Sequence, residues 1–111
     1  MVLWHNTEDA PRSPEQVLAG QSVDLKIGTY PIEPGQLVSV SLNITHADGR
    51  QGSFTVDAQW QYNHVTKGNS YWLASLDPLE AGDEVSYVIR GISQDGETSR
   101  QEFAFTVEAD E

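Results

Sequence analysis

The chain has 111 residues, which is the usual size of one domain and leaves no room for two. Its 17 acidic and 6 basic residues give a net charge of −11, which would repel phosphate backbones, so nucleic acid and anionic membranes are excluded as expected partners. The absence of cysteine excludes disulfides, zinc–thiolate sites and a cysteine nucleophile. We expect one domain over residues 1–111, with an ordered core over about 2–107 and an acidic tail over 108–111.

In chain order, short stretches of alternating apolar and polar residues are separated by turn residues, a pattern typical of β-strands. Strands are predicted over residues 2–5, 22–29, 36–45, 53–60, 71–76, 85–92 and 98–107. Asp-Gly pairs at 48–49 and 95–96 indicate tight hairpin turns. Only residues 14–19 could begin a helix, and Gly20 would end it after about a turn and a half. The pattern predicts an antiparallel β-sandwich of seven or eight strands.

Residues 79–89, Leu-Glu-Ala-Gly-Asp-Glu-Val-Ser-Tyr-Val-Ile, resemble the loop-to-strand passage of fibronectin type III and related immunoglobulin-like domains. In those domains a leucine, a turn bearing proline or glycine, and a tyrosine recur at this spacing. The resemblance implies an all-β, immunoglobulin-like sandwich in which Tyr87 packs at a corner with its hydroxyl bonded to nearby backbone.

A wider resemblance covers residues 4–107. It rests on the opening Trp-His, the Thr-Tyr-Pro at 29–31, Trp60, the Asn-Ser-Tyr-Trp at 69–72, and the passage at 82–87. These features are similar to the immunoglobulin-like accessory domains that sit beside catalytic barrels in amylase-type and other glycoside hydrolases. The resemblance implies a non-catalytic, monomeric module of a larger extracellular or cell-surface enzyme. Its partner would be a polysaccharide or a neighbouring catalytic domain.

One segment carries the side chains that carbohydrate recognition needs. Aromatic faces stack on the apolar faces of sugar rings, while amides and imidazoles bond the hydroxyls at the rim. The candidate carbohydrate-binding residues are Trp60, Tyr62, Asn63, His64, Tyr71 and Trp72. They suggest binding of an α-glucan or related polysaccharide. The alternative is a protein-interaction or adhesion domain of a cell-surface or secreted protein, with no sugar binding.

Strict alternation competes with this hypothesis. Positions 54, 56, 58 and 60 share one apolar strand face, as do 72, 74 and 76, which favours core positions for Trp60 and Trp72. Tyr62, His64 and Tyr71 would then be the better surface contacts. A β-bulge near Trp60 would turn the side chains after it to the opposite face of the strand, and the tryptophans could then form part of an exposed aromatic surface.

Metal binding and catalysis find less support. Asp77, Glu80, Asp83 and Glu84 crowd one loop with oxygen ligands suited to calcium, but their spacing matches no EF-hand, and Pro78 and Gly82 indicate an ordinary turn. The three histidines are isolated in sequence and lack the spacing of a zinc or nucleophile motif. No metal site, cofactor or catalytic residue is therefore predicted.

Overall fold

A computed structural model of the protein describes residues 1–109, which form nine β-strands and no helix. The strands are β1 Val2–His5, β2 Arg12–Ser13, β3 Val23–Tyr30, β4 Leu37–Thr45, β5 Gln51–Asp57, β6 Gln59–His64, β7 Asn69–Leu76, β8 Glu84–Ile92 and β9 Thr98–Thr106. Asp110 and Glu111, which belong to the predicted acidic tail, lie outside the described residues. Within residues 1–109 there is no helix of the length and apolar character that a membrane crossing requires.

The strands form two antiparallel sheets. The first sheet has the order β1-β3-β7-β6, with the short β2 also paired to β3, and the second has the order β5-β4-β8-β9. This is the predicted all-β, immunoglobulin-like sandwich, with nine strands rather than seven or eight. The additional strands are the two-residue β2 and β6, the latter beginning inside the single strand predicted over residues 53–60.

The core lies between the two sheets, where alternate side chains of both sheets meet. It contains Val23, Leu25 and Ile27 of β3, Val38, Val40, Leu42 and Ile44 of β4, Trp72, Ala74 and Leu76 of β7, and Val85, Tyr87 and Ile89 of β8. Period-two alternation therefore predicts the core strands correctly, because each of them buries one face against the opposite sheet.

The predicted strand over residues 53–60 is wrong in one respect, because the chain changes sheets within it. Asp57 pairs with Ser39 in the second sheet, whereas Gln59 pairs with Leu73 in the first. Ala58 lies between them, buried, with its N–H donated to the carbonyl of Val38 at 2.9 Å. The small side chain lets the backbone cross between the sheets at this point, which places β6 at an open edge of the sandwich.

Tyr87 is fully buried, as the resemblance implied, but its hydroxyl bonds to side chains rather than to backbone. It lies 2.9 Å from His5 Nε2 and 3.5 Å from the Arg12 guanidinium. His5 Nδ1 lies 2.6 Å from the carbonyl oxygen of Lys26, so Nδ1 carries the proton and Nε2 accepts from Tyr87. This arrangement holds β1 and β2 against β8 and requires a neutral His5.

The stability of the fold should fall as His5 becomes protonated. Burial, the largest cause, lowers the pKa of His5 from its ordinary value of 6.5, and the nearby Arg12 charge lowers it further. The unfolded chain binds this proton at a higher pH than the folded chain. The stability that neutral His5 contributes is therefore complete above pH 6.5 and is lost as the pH falls through the pKa of His5 in the folded chain. We expect the midpoint of thermal unfolding to drop between about pH 7.5 and 5.5, and to drop less in His5→Gln. His64→Gln, the matched control, should behave like wild type; an equal drop in His5→Gln would contradict this account.

Candidate functional site

A β-bulge in β6 divides the predicted carbohydrate-binding residues between two surfaces. Trp60 pairs with Trp72, whereas Tyr62 pairs with Tyr71, so the register shifts by one residue at Gln61. Because directly paired residues share a face, Trp60 lies on the inner side of the first sheet and Tyr62 on its outer side. The bulge considered from the sequence is thus present, and it separates the two rings instead of aligning them.

Core placement is correct for Trp72 and wrong for Trp60. Trp72 is 8% exposed, with its indole N–H donated to Thr29 Oγ1 at 2.9 Å. Trp60 points the way alternation predicts but is 54% exposed, because β6 is an edge strand and the second sheet does not extend over it. Asn63 accepts a bond from the Trp60 indole at 2.9 Å and another from Ser70 at 2.7 Å, which fixes the exposed ring in position.

Trp60 borders two hollows at the edge of the sandwich. The larger one, which we call the edge groove, has a volume of about 780 Å³ and runs onto the outer face of the second sheet. It is lined by Trp60 and Trp72 together with Leu37, Ser39, Asp57, Arg90, Ile92 and Arg100, among others. The smaller hollow, of about 440 Å³, shares both tryptophans and adds Glu33, Gln36 and Asn63. An exposed indole is therefore surrounded by hydroxyl, amide and charged groups.

The far side of the edge groove has no counterpart in the sequence-based prediction. Ser39, Arg90 and Arg100 are direct neighbours across β4, β8 and β9. They come from positions scattered over about 60 residues of sequence, so only the strand register could have predicted that they meet. Two of the chain's six basic residues thus lie side by side in an otherwise acidic protein.

On the outer side of the first sheet, Tyr62 and Tyr71 form a second aromatic group. Their ring centroids lie 5.1 Å apart, and Lys26 Nζ donates to the Tyr62 hydroxyl at 2.8 Å. Tyr71 faces outward as predicted but is only 2% exposed, because neighbouring side chains cover it. His64, the last residue of β6, pairs with Asn69 at the end of the same face.

Trp4 and Asp9 belong to this second group and were not selected from the sequence. Asp9 Oδ2 accepts from the Tyr71 hydroxyl at 2.6 Å and from the Trp4 indole at 3.1 Å, while Oδ1 accepts from Thr7 at 2.6 Å. The Thr7 bond is the largest cause that lowers the pKa of Asp9 to about 2, followed by the bond from Tyr71. The carboxylate therefore stays ionised and holds both rings in place.

The structure brings two residues of the acidic loop, Glu80 and Asp83, together with His46, with one ligand atom of each within 4.8 Å of the others. Asp83 Oδ1 lies 2.7 Å from His46 Nδ1, and Glu80 Oε2 lies 3.1 Å from the same nitrogen, so His46 is not isolated. Asp83 is buried, and its other oxygen accepts the Glu80 N–H at 3.1 Å. These bonds fix the turn before β8, and the same three side chains offer nitrogen and oxygen atoms that could hold a metal ion.

Comparisons with known proteins place the fold in a carbohydrate-active context. No protein-family model matches the chain. It is 37% identical over 103 residues to an isomaltosyltransferase from Sporosarcina globispora, a match that covers 91% of this chain and 8% of that enzyme. Its structure is similar to part of a cycloalternan-forming enzyme from Listeria monocytogenes, solved with a pentasaccharide substrate, at 32% identity and a TM-score of 0.82. That match covers 96% of this chain and 10% of the enzyme.

A cycloalternan-degrading enzyme from Trueperella pyogenes contains the same fold, at 14% identity and a TM-score of 0.65 over 97% of this chain and 18% of that enzyme. The chain therefore spans about a tenth of the length of the first two relatives and less than a fifth of the third. The resemblance to an immunoglobulin-like accessory domain of carbohydrate-active enzymes is confirmed, since the chain matches one small segment within each of them.

Proposed function

We propose that this domain is a non-catalytic module that binds an α-glucan or related polysaccharide, with Trp60 as the stacking surface. The observation that carries the proposal is the half-exposed Trp60 ring, held by Asn63 where two hollows meet. A large aromatic side chain left open to water at a concave site is characteristic of ligand binding rather than of packing. The oligosaccharide in the complex of the Listeria enzyme supports this class of ligand.

The acids at the site support binding rather than hydrolysis. Each hollow is lined by a single acid, Asp57 in the edge groove and Glu33 in the smaller hollow. Most glycosidases flank the scissile bond with two carboxyl groups inside one site. We therefore propose binding, and not hydrolysis, as the role of the two hollows.

Removal of the Trp60 ring should abolish most of the binding. In isothermal titration with soluble α-glucans, we expect Trp60→Ala to weaken binding at least tenfold, because a central Trp anchor contributes about 2 kcal/mol or more and about 1.4 kcal/mol is tenfold in affinity. Trp60→Phe, which keeps a smaller ring, should retain part of the affinity. Val65→Ala is the matched control, since Val65 is also exposed but lies in the next loop.

Uniformly silent titrations against soluble starch, dextran and β-glucans would retire the glycan proposal. A second function then becomes the better one, namely docking of a neighbouring domain in the edge groove. The specific observation in its favour is that Leu37 and Ile92, both apolar and exposed, adjoin Trp60 in this groove. Aromatic and Arg side chains with apolar neighbours are also what protein interfaces contain.

A further inference from the structure

The outer face of the first sheet carries an aromatic row that the Trp60 site does not use. Trp4 pairs with Gly28, Gly28 with Tyr71, and Tyr71 with Tyr62, so these four residues form one line across β1, β3, β7 and β6. Strands lie about 4.8 Å apart, which gives the row a width of about 14 Å. Tyr30, two residues beyond Gly28 on β3, extends the same face. We call Trp4, Tyr30, Tyr62 and Tyr71 the aromatic face.

Three members of the aromatic face are open to solvent, whereas Tyr71 is buried among its neighbours. Tyr30 is 49% exposed and Tyr62 44%, and Trp4 is half-buried. The Trp4 indole lies directly over Gly28, where an added Cβ would come within 2.2 Å of the ring. Trp4 is thereby laid against the strand backbone, which leaves its opposite side turned away from the sheet. Several half-open aromatic rings on one sheet face form a surface of the kind that marks a binding site.

The rings are held in place before any ligand arrives. Asp9 accepts from both Trp4 and Tyr71, and Lys26 donates to Tyr62 while its ammonium lies 4.4 Å from the centre of the Tyr71 ring. A surface whose side chains are already ordered loses little entropy when it binds.

A buried amide adds to the ordering of the rings. Asn69 precedes Tyr71 by two residues on β7, so both side chains share the outer face. Asn69 is buried, and its side-chain amide lies against the Tyr71 hydroxyl as a donor of poor geometry, which opposes the rise that Asp9 causes in the pKa of Tyr71. Its Nδ2 is sealed from solvent, so the amide helps to position the Tyr71 ring and does not contact a ligand.

The charges of this face favour an uncharged partner. The two charged groups in contact with the rings are Asp9 and Lys26, which cancel, whereas the chain as a whole carries −11. An electrically balanced face complements a neutral ligand, and the surrounding negative field opposes an anionic one. A neutral polysaccharide chain offers apolar ring faces on which the exposed aromatic side chains can stack.

We propose that the aromatic face is a second binding surface for neutral glycan chains, separate from the Trp60 site, so that one module can hold two segments of polysaccharide. This inference rests on the proposed function, because it takes the same class of ligand, a polysaccharide. Two sites on one module raise the apparent affinity for a long polymer far more than for a short oligosaccharide, because the second contact is intramolecular.

The test is affinity electrophoresis in gels that contain dextran or soluble starch, with Tyr30→Ala/Tyr62→Ala, Trp60→Ala and the triple variant. We expect each of the first two to reduce retardation by at least about threefold and the triple variant to migrate as if no polysaccharide were present. Tyr30→Phe/Tyr62→Phe keeps both rings and should retain most of the retardation, losing only what the Lys26 bond to the Tyr62 hydroxyl contributes. Unchanged thermal unfolding in the alanine variants establishes that they are folded.

Each outcome separates this inference from the proposed function. Wild-type retardation of Tyr30→Ala/Tyr62→Ala, together with loss in Trp60→Ala, overturns the second surface and leaves the first. If Tyr30→Ala/Tyr62→Ala loses retardation while Trp60→Ala is retarded like wild type, the aromatic face binds glycan and the Trp60 site does not. If neither the wild type nor any variant is retarded, both proposals are wrong. A second copy of the chain could occupy the aromatic face instead, and sedimentation velocity tests this. If the wild type is a dimer, and Tyr30→Ala/Tyr62→Ala makes it monomeric without changing its retardation, the face binds a second copy and the glycan inference is wrong.

Discussion

Tyr87→Ala is expected to lower the free energy of unfolding by about 4 kcal/mol, the range for loss of a large buried aromatic side chain. Tyr87 is fully buried, and its ring stacks 5.4 Å from Phe103 and meets Phe105 edge-on at 5.8 Å. The substitution would open a cavity between the sheets and leave His5 Nε2 without its hydrogen-bond donor. Because domains of this size are stabilised by about 5–15 kcal/mol, we expect a large drop in the urea midpoint.

Tyr87→Phe separates the ring from its hydroxyl. It keeps the packing and loses only the bonds to His5 and Arg12, so a cost of about 1–2 kcal/mol is expected. Urea unfolding monitored by circular dichroism measures both variants. If Tyr87→Phe were as destabilising as Tyr87→Ala, the hydroxyl network rather than the ring would be the main source of stability at this corner, contrary to our account.

Gly28→Ala is expected to destabilise the domain by about 2 kcal/mol, although it adds a single methyl group. The added Cβ would lie 2.2–2.5 Å from three atoms of the Trp4 indole, so the ring has to leave its position on β3. Its departure breaks the bond from the indole to Asp9 and weakens the packing of β1 on β3. Thermal and urea unfolding report the change.

Trp4→Ala provides the matched background. With the indole removed, the space above Gly28 is open, and alanine is no worse than glycine within a strand. Gly28→Ala should therefore cost nothing in that background, which gives a coupling of about 2 kcal/mol in a double-mutant cycle. Equal destabilisation by Gly28→Ala in both backgrounds would show that the glycine is needed for a reason other than the indole.

The architecture follows from sequence because the core strands obey a simple rule. In β3, β4 and β8, apolar residues at every second position meet the opposite sheet, so alternation alone predicts both the strand and its buried face. The rule fails at Ala58, where the chain crosses between sheets. No local sequence pattern predicts this crossing, because the residues on both sides of Ala58 have the composition of a strand.

The sequence predicts one group of aromatic residues, and the structure divides that group between two surfaces. Trp60, Tyr62 and Tyr71 were predicted as one group of rings, but a one-residue bulge at Gln61 sends Trp60 to the edge groove and Tyr62 to the opposite face. The burial of Tyr71 depends on Lys26 and Asp9, which are distant in sequence. Contacts of this kind are set by strand register, which a single sequence does not encode locally.

The three tryptophans allow one direct measurement of the central claim, that Trp60 is the exposed stacking surface while Trp72 belongs to the core. Each indole N–H gives a separate signal in a two-dimensional ¹H–¹⁵N spectrum, assigned by Trp→Phe variants, and maltoheptaose and isomaltooligosaccharides are added in steps. The Trp60 signal should shift in a saturable way while the Trp72 signal stays in place. A bound glycan that leaves the Trp60 signal unmoved, or that moves Trp72 first, would contradict the account.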